Sequence, residues 1–304
     1  MQKYIILGHE NPDVDSIVSG YIYQNYLNRR NIDAEFVIPD EKIDEDTLEI
    51  CRRFNLEPTK FQKPLEYDED TKFILVDHHN RKNIGEVSLI IDHHLDEHEP
   101  DTDNCINEPS SSTSCLIVQR NEPFYSIHEI ELACMAAMVD TASFHSTKGN
   151  AWDLDWVQRM SEEKNLDYNK IYEAGLTVND ISNPEEVMFH GLKNHNIHGH
   201  QVQSSTIHVN GMKQNWKQIN KIIDLLQEYI TSSELDYFLF IIHDMDKFES
   251  WVYTLDKNGF TRKKYDEYTS RGTTIIPDLE EQLRYTPKQK IKTGNKFLSF
   301  ILSK

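Results

Sequence analysis

The sequence predicts an α/β protein of two domains, on three observations. At 304 residues the chain exceeds the length over which a single hydrophobic core usually grows, so two domains are expected. Short β-rich apolar runs alternate with stretches of helical periodicity through the first half, the pattern of a parallel sheet covered by helices on both faces. A polar stretch, Asn179 to His200, then separates this half from a second, smaller set of strands and helices. The expected division is residues 1–188 for a catalytic domain and 189–304 for a smaller α/β domain that closes on it, with the site in the cleft between them.

The strand candidates of the first half are Tyr4 to Leu7, Ala34 to Ile38, Phe73 to Val76 and Val87 to Ile91. Each is short, β-branched or aromatic, and followed by polar or turn residues. Helical spacing marks Ile17 to Asn28, Glu45 to Phe54, Ile127 to Met138 and Trp152 to Lys164. In the second half, strands are expected at Val202 to Val209, Tyr237 to Ile242 and Trp251 to Leu255, and helices at Trp216 to Tyr229 and Asp278 to Arg284. Lys288, Lys290 and Lys292 form a basic tail that reads as solvated surface.

Composition narrows the function. With 38% hydrophobic and 27% charged residues, the chain can bury a sizeable core. Its formal charge of -19 would repel nucleic acid and anionic membranes, so neither is an expected partner. Cys51, Cys105, Cys115 and Cys134 are scattered and make no CxxC pair, which argues against both a zinc cluster and a disulfide framework. Met1 leads almost directly into the first strand, and no apolar run approaches membrane-spanning length. A cytoplasmic protein is expected.

The chemistry gathers where strands end. The first runs into Gly8-His9-Glu10-Asn11-Pro12-Asp13-Val14-Asp15-Ser16, so one loop can aim an imidazole and two carboxylates into a small volume. The third ends in Asp77-His78-His79-Asn80 and the fourth in Asp92-His93-His94, and an apolar helix closes on Asp140. Open α/β sheets bind ligands at the carboxyl ends of their strands. An Asp there can also simply cap the next helix. Four such clusters in one domain are hard to attribute to capping, and converging carboxylates are costly without cations. Oxygen and imidazole donors without thiolates suit Mn²⁺, Co²⁺ or Mg²⁺. The hydroxyl-rich Ser110-Ser111-Ser112-Thr113 before a helix can equally offer amides to a phosphate or cap the helix.

Gly8-His9-Glu10-Asn11-Pro12-Asp13-Val14-Asp15-Ser16-Ile17 resembles the opening signature of the family II, manganese-dependent inorganic pyrophosphatases of the DHH phosphoesterase superfamily. Val76-Asp77-His78, Ile91-Asp92-His93-His94, Val139-Asp140, Ser270-Arg271 and Ile275-Ile276-Pro277 extend the resemblance over nearly the whole chain. It implies two bridged Mn²⁺ ions, with Co²⁺ or Mg²⁺ as substitutes: one on His9, Asp13 and Asp77, the other on Asp15, Asp77, His93 and Asp140. It further implies that a hydroxide between the metals attacks one phosphorus of pyrophosphate in line. Asp13, His94 and Arg271 are the expected catalytic residues, with His94, Arg271, Lys213 and Lys217 on the substrate and a homodimer as a possible assembly.

Two departures bear on the substrate. The family continues its Ser-Arg pair with two lysines and a glutamine, where this chain has Gly272-Thr273-Thr274. The family also has a single histidine where this chain has His78-His79. An exopolyphosphatase, another small phosphoester hydrolase, or a non-catalytic module that binds a phosphorylated ligand are therefore the alternatives. His243-Asp244-Met245-Asp246, after the strongest strand of the second half, reads as structural rather than as a further metal site.

Overall fold

Five short strands of the first half form one parallel sheet: β1 (Tyr4–Leu7), β2 (Ala34–Val37), β3 (Lys72–Val76), β4 (Val87–Asp92) and β5 (Cys105–Asn107), in the order β2-β1-β3-β4-β5. The structure is a computed structural model that describes residues 2–39, 42–79, 84–94, 102, 104–146, 148–197 and 199–265. The chain steps outward from β1 to β2 and then returns to place β3 on the other side of β1. The carboxyl ends of β1 and β3 thus flank the point where the strand order reverses, where a ligand crevice opens in such sheets.

Alternation along the strands divides the sheet's contacts between two faces. Ile6, Phe36, Ile74, Val76 and Ile91 join the main core with apolar residues of α1 (Val14–Arg29), α2 (Glu45–Arg53), α3 (Thr113–Arg120), α4 (Ile127–Thr141), α5 (Ala151–Glu163) and α6 (Tyr168–Ala174). Ile5, Leu7, Val37, Phe73, Leu75 and Ile90 face the other way and pack with Leu65, Ile84, Val87 and Cys105. Among the described residues the helices therefore gather on one face rather than on both as expected, because Leu65, Ile84 and Cys105, from loop and edge segments, cover the other. All four cysteines are free thiols.

The first compact unit ends at Leu176 and the second begins at Thr177, upstream of the break expected after residue 188. The reason is packing: Ile181, Val187 and Met188, flanking and within the short α7 (Pro184–Val187), bury their side chains in the second unit's core. The second unit has its own sheet, β6 (Lys193–Ile197), β7 (His200–Val209), β8 (Tyr237–Asp244), β9 (Glu249–Asp256) and β10 (Gly259–Tyr265), in the order β10-β9-β8-β7-β6. The one parallel pair, β7 with β8, is joined through α8 (Trp216–Ser232), and the other pairs are antiparallel. The helix expected at Asp278 to Arg284, the tail lysines, and Ser270 to Pro277 with Arg271 lie outside the described residues. No described helix is long and apolar enough to cross a membrane.

Candidate metal centre

The loop after β1 is shaped by close approach. Gly8 sits against Ser16, where a Cβ would fall 2.1 Å from the hydroxyl oxygen, and the His9 amide donates to that hydroxyl at 3.1 Å. Asp13 is the N-cap of α1, its Oδ1 accepting from Ser16 N at 3.1 Å. Its other oxygen, Oδ2, lies 3.4 Å from His9 Nε2. Capping and site-building, which looked like rival readings in the sequence, are divided between the two oxygens of one carboxylate.

Asp77 is the hub. Its Oδ2 lies 3.4 Å from His9 Nε2 and its Oδ1 3.4 Å from His93 Nε2. His93 Nε2 also stands 3.5 Å from Asp140 Oδ2 and 3.9 Å from Asp15 Oδ2. The six predicted ligands, from β1, β3, β4, α1 and α4, thus share one small region. Two ligand triads, His9-Asp13-Asp77 and Asp77-His93-His94, share Asp77. Asp77 takes a left-handed backbone, φ 64, a conformation that costs on the order of 1 kcal/mol or more for a residue other than glycine and clusters at functional sites.

The distances fit shared cations better than direct bonds. Two donors each about 2.1 Å from one ion stand about 3.0 Å apart at a right angle and about 3.4 Å at the tetrahedral angle. Asp77 Oδ2 and His93 Nε2 are buried without a hydrogen-bond partner, which is expensive unless something else engages them. The outer nitrogens are already occupied: His9 Nδ1 faces Glu10 O at 2.9 Å and His93 Nδ1 faces Ser110 O at 2.8 Å. Those contacts fix tautomers with Nε2 as the lone-pair donor, as in metal-ligating histidines.

Electrostatics agree. Burial, then the charge of Asp77, push the Asp15 carboxyl well above its ordinary value. Burial also acts to raise Asp77, but the His9, His93 and His94 imidazoles facing it hold it well below. Burial alone would lower His9, yet Asp13 and Asp77 push it up to about 10. In the same way Asp77, Asp140 and Asp15 outweigh burial at His93 and raise it to about 9. The cluster gathers positive charge by holding protons, and divalent cations supply the same charge directly.

The support around the ligands was less visible in sequence. The amides of Thr113 and Ser114, at the start of α3, donate to the two oxygens of Asp15 at 2.7 and 3.0 Å, and Thr113 Oγ1 donates to Asp77 at 3.2 Å. The Ser111 amide donates to Asp153 at 2.6 Å, and Ser112 caps α3 through Cys115 N. Within this segment Ser110, Ser111 and Thr113 donate to protein carboxylates and Ser112 caps the helix. Asp92 Oδ1 accepts from the amides of His93 and His94 and from His94 Nδ1 at 2.9 Å. Its Oδ2 meets His79 Nδ1 at 3.1 Å, which gives the additional histidine a structural part. Lys148, unremarked in sequence, places Nζ 3.3 Å from Asp140 Oδ2.

In the second unit, Lys213 lies in the turn before α8 and Lys217 in its first turn, both exposed. Asp244 accepts from the amides of Gly211, Met212 and Asp246, and His243 Nδ1 contacts Ser250 Oγ at 2.8 Å. That pair has the structural part expected for it.

Residues 3–141 match the DHH family, N-terminal domain, a stretch that begins just before β1 and ends just after Asp140. The chain thus resembles the DHH family through its first half. Its resemblance to the family II inorganic pyrophosphatases is borne out along its length. A protein of Lactobacillus acidophilus named "Probable manganese-dependent inorganic pyrophosphatase" is 23% identical over 92% of this chain and 94% of its own. One of Bacillus licheniformis with the same name is 23% identical over 93% of this chain and 100% of its own. A crystal structure from Methanococcus jannaschii, named "putative family II inorganic pyrophosphatase", shares the fold. It has a TM-score of 0.70 and 21% identity, and the match covers 91% of this chain and 98% of the other.

Proposed function

We propose that this protein hydrolyses phosphoanhydride bonds, with inorganic pyrophosphate as its substrate, at a centre of two Mn²⁺ ions that share Asp77. The observation that carries this is the convergence of His9 and His93 on the buried Asp77 carboxylate, with Asp13 beside the first and Asp15 and Asp140 beside the second. His9, Asp13 and Asp77 would hold one ion, and Asp15, Asp77, His93 and Asp140 the other. Such a pair supplies Lewis acidity, activating water as a nucleophile and neutralising charge on phosphate oxygens. The names of the full-length relatives support both the metal and the substrate.

The chain's own residues do the rest. Asp92 holds the His94 ring through Nδ1, leaving Nε2 to exchange a proton with a phosphate oxygen. The α3 amides keep Asp15 aimed, and Ser110 O fixes the His93 tautomer. Arg271, Lys213 and Lys217 are the second half's candidates for gripping the distal phosphate.

A second reading rests on Gly272-Thr273-Thr274, where lost lysine contacts would favour a longer polyphosphate or an ester on the same metal site. Phosphate release from pyrophosphate, tripolyphosphate and nucleotides, in Mn²⁺, Co²⁺ and Mg²⁺, separates the readings. Fastest turnover of pyrophosphate, abolished by Asp77→Asn, is the expected result. Preference for tripolyphosphate or a nucleotide would move the substrate, and no release from any of them would reject the hydrolase.

A further inference from the structure

Directly after Asp140 the backbone does something expensive. Ala142, Ser143 and Phe144, none of them glycine, have φ of 49, 55 and 63, and a left-handed residue costs roughly 1–2 kcal/mol each. The turn is over-determined, as such strain requires. Ser143 N donates to Met138 O at 2.7 Å, Ser146 N to Thr141 O at 2.9 Å, and Phe144 N to Thr141 Oγ1 at 3.0 Å. Gly175 packs so closely that a Cβ there would meet Met138 O at 2.3 Å.

The turn reverses the chain, and Asn150 ties down its far end by donating its amide to Ser111 Oγ at 3.2 Å and capping α5. Between these anchors Lys148 returns to the residue where the turn began, its side chain 17% exposed and its ammonium 3.3 Å from Asp140 Oδ2. Four ligand carboxylates balance two divalent cations, so the loaded centre is close to neutral and Lys148 adds the positive charge an anionic substrate needs. Neighbouring donors on one ion stand about 3 Å apart. An ammonium 3.3 Å from one donor, on a stem of four rotatable bonds, therefore reaches an oxygen in the adjoining position.

We propose that Lys148 is a substrate-binding cation: once Asp140 engages a metal ion, its ammonium turns to a phosphate oxygen of the substrate. This inference rests on the phosphoanhydride reading above, and it offers a replacement, from within the first unit, for lysines missing at Gly272-Thr273-Thr274.

The test is calorimetric binding of methylenediphosphonate, which cannot be hydrolysed at its bridge, to the Mn²⁺-loaded full chain. Mn²⁺ binding is followed separately by electron paramagnetic resonance. Lys148→Gln should weaken binding of the analogue about ten- to a hundredfold and raise KM for pyrophosphate, with Mn²⁺ binding undiminished. Lys148→Arg should recover most of the affinity. Unchanged analogue binding in Lys148→Gln, or no analogue binding by the wild type, overturns the proposal. Weaker Mn²⁺ binding with KM unmoved at saturating Mn²⁺ also overturns it, since Lys148 would then only position Asp140. A wild type that binds the analogue through Lys148 but releases no phosphate from pyrophosphate would sink the proposed activity and leave this contact standing.

Discussion

Asp77 and Asp244 look alike in the sequence, each an aspartate beside a histidine at the end of a strongly apolar strand, and both are buried. Their surroundings differ in kind. Asp244 accepts from three backbone amides and holds a turn. Asp77 faces two imidazoles and lies among other carboxylates, with one oxygen that accepts no hydrogen bond. A carboxylate satisfied by amides stabilises a fold, whereas one left to converge with its own kind stores a cost that a cation removes. Position at a strand end is therefore a weak signal, and the partner set decides.

Removing each carboxylate should expose that difference. Asp77→Asn keeps a side chain that tolerates the left-handed backbone but removes the shared ligand, and turnover should fall more than about a thousandfold. Without metal the variant should lose stability near pH 7, because the protonated His9 and His93 that hold Asp77 ionised are left facing a neutral amide. Mn²⁺ at a hundredfold over its Kd should stabilise the wild type by about 2.7 kcal/mol and the variant much less. Thermal unfolding with Mn²⁺ or chelator reads both. An Asp77→Asn protein stabilised by Mn²⁺ as much as the wild type would place Asp77 in the same class as Asp244.

Asp92 lies between the extremes, since it touches the ligands' histidines without belonging to either triad. Asp92→Asn should lower Mn²⁺ affinity or activity by about ten- to a hundredfold, as seen in a Mn²⁺ titration of the rate. An unaffected rate would mean that backbone packing alone orients His93 and His94. Asp244→Ala should cost about 2 kcal/mol of stability and leave Mn²⁺ binding intact. Loss of Mn²⁺ binding in that variant would erase the contrast.

The sequence made the candidate ligands legible because they cluster where apolar runs end, and alternation reveals such ends. β1 is bounded as expected, and α4 runs only three residues past its expected end at Met138, to Thr141. The short edge strands β5, β6 and β10 were not anticipated, since Lys193 to Ile197 and Gly259 to Tyr265 carry too little apolar patterning to stand out. Strand partners, rather than their own residues, define them. Nor does spacing reveal Ser110, Thr113 and Ser114 as supports for His93 and Asp15, roughly a hundred residues from Asp15 in the chain, because each acts through a backbone amide or carbonyl or a short hydroxyl. Lys148 escaped for a related reason, because the left-handed turn that returns it to Asp140 uses alanine, serine and phenylalanine, which do not announce such a turn.

Glu129 gives the smallest test and a third kind of buried carboxylate. It closes the capping box of α4 with Ser126 and receives Arg29 from the last turn of α1 at 2.9 Å. Burial acts to raise its pKa, but those hydrogen bonds hold it below the ordinary value of 4.5. A depressed folded-state value means that its contribution is fully present above the unfolded carboxyl range and is lost as pH falls through the folded value. Glu129→Gln should therefore cost about 1 kcal/mol at pH 7, with the gap to wild type closing as pH falls below the ordinary carboxyl value of 4.5. Urea unfolding midpoints across that range measure it. A gap that persists in acid would assign the effect to packing. One that closes would show that a paired, amide-satisfied carboxylate links α1, which begins at the Asp13 cap, to α4, which carries Asp140.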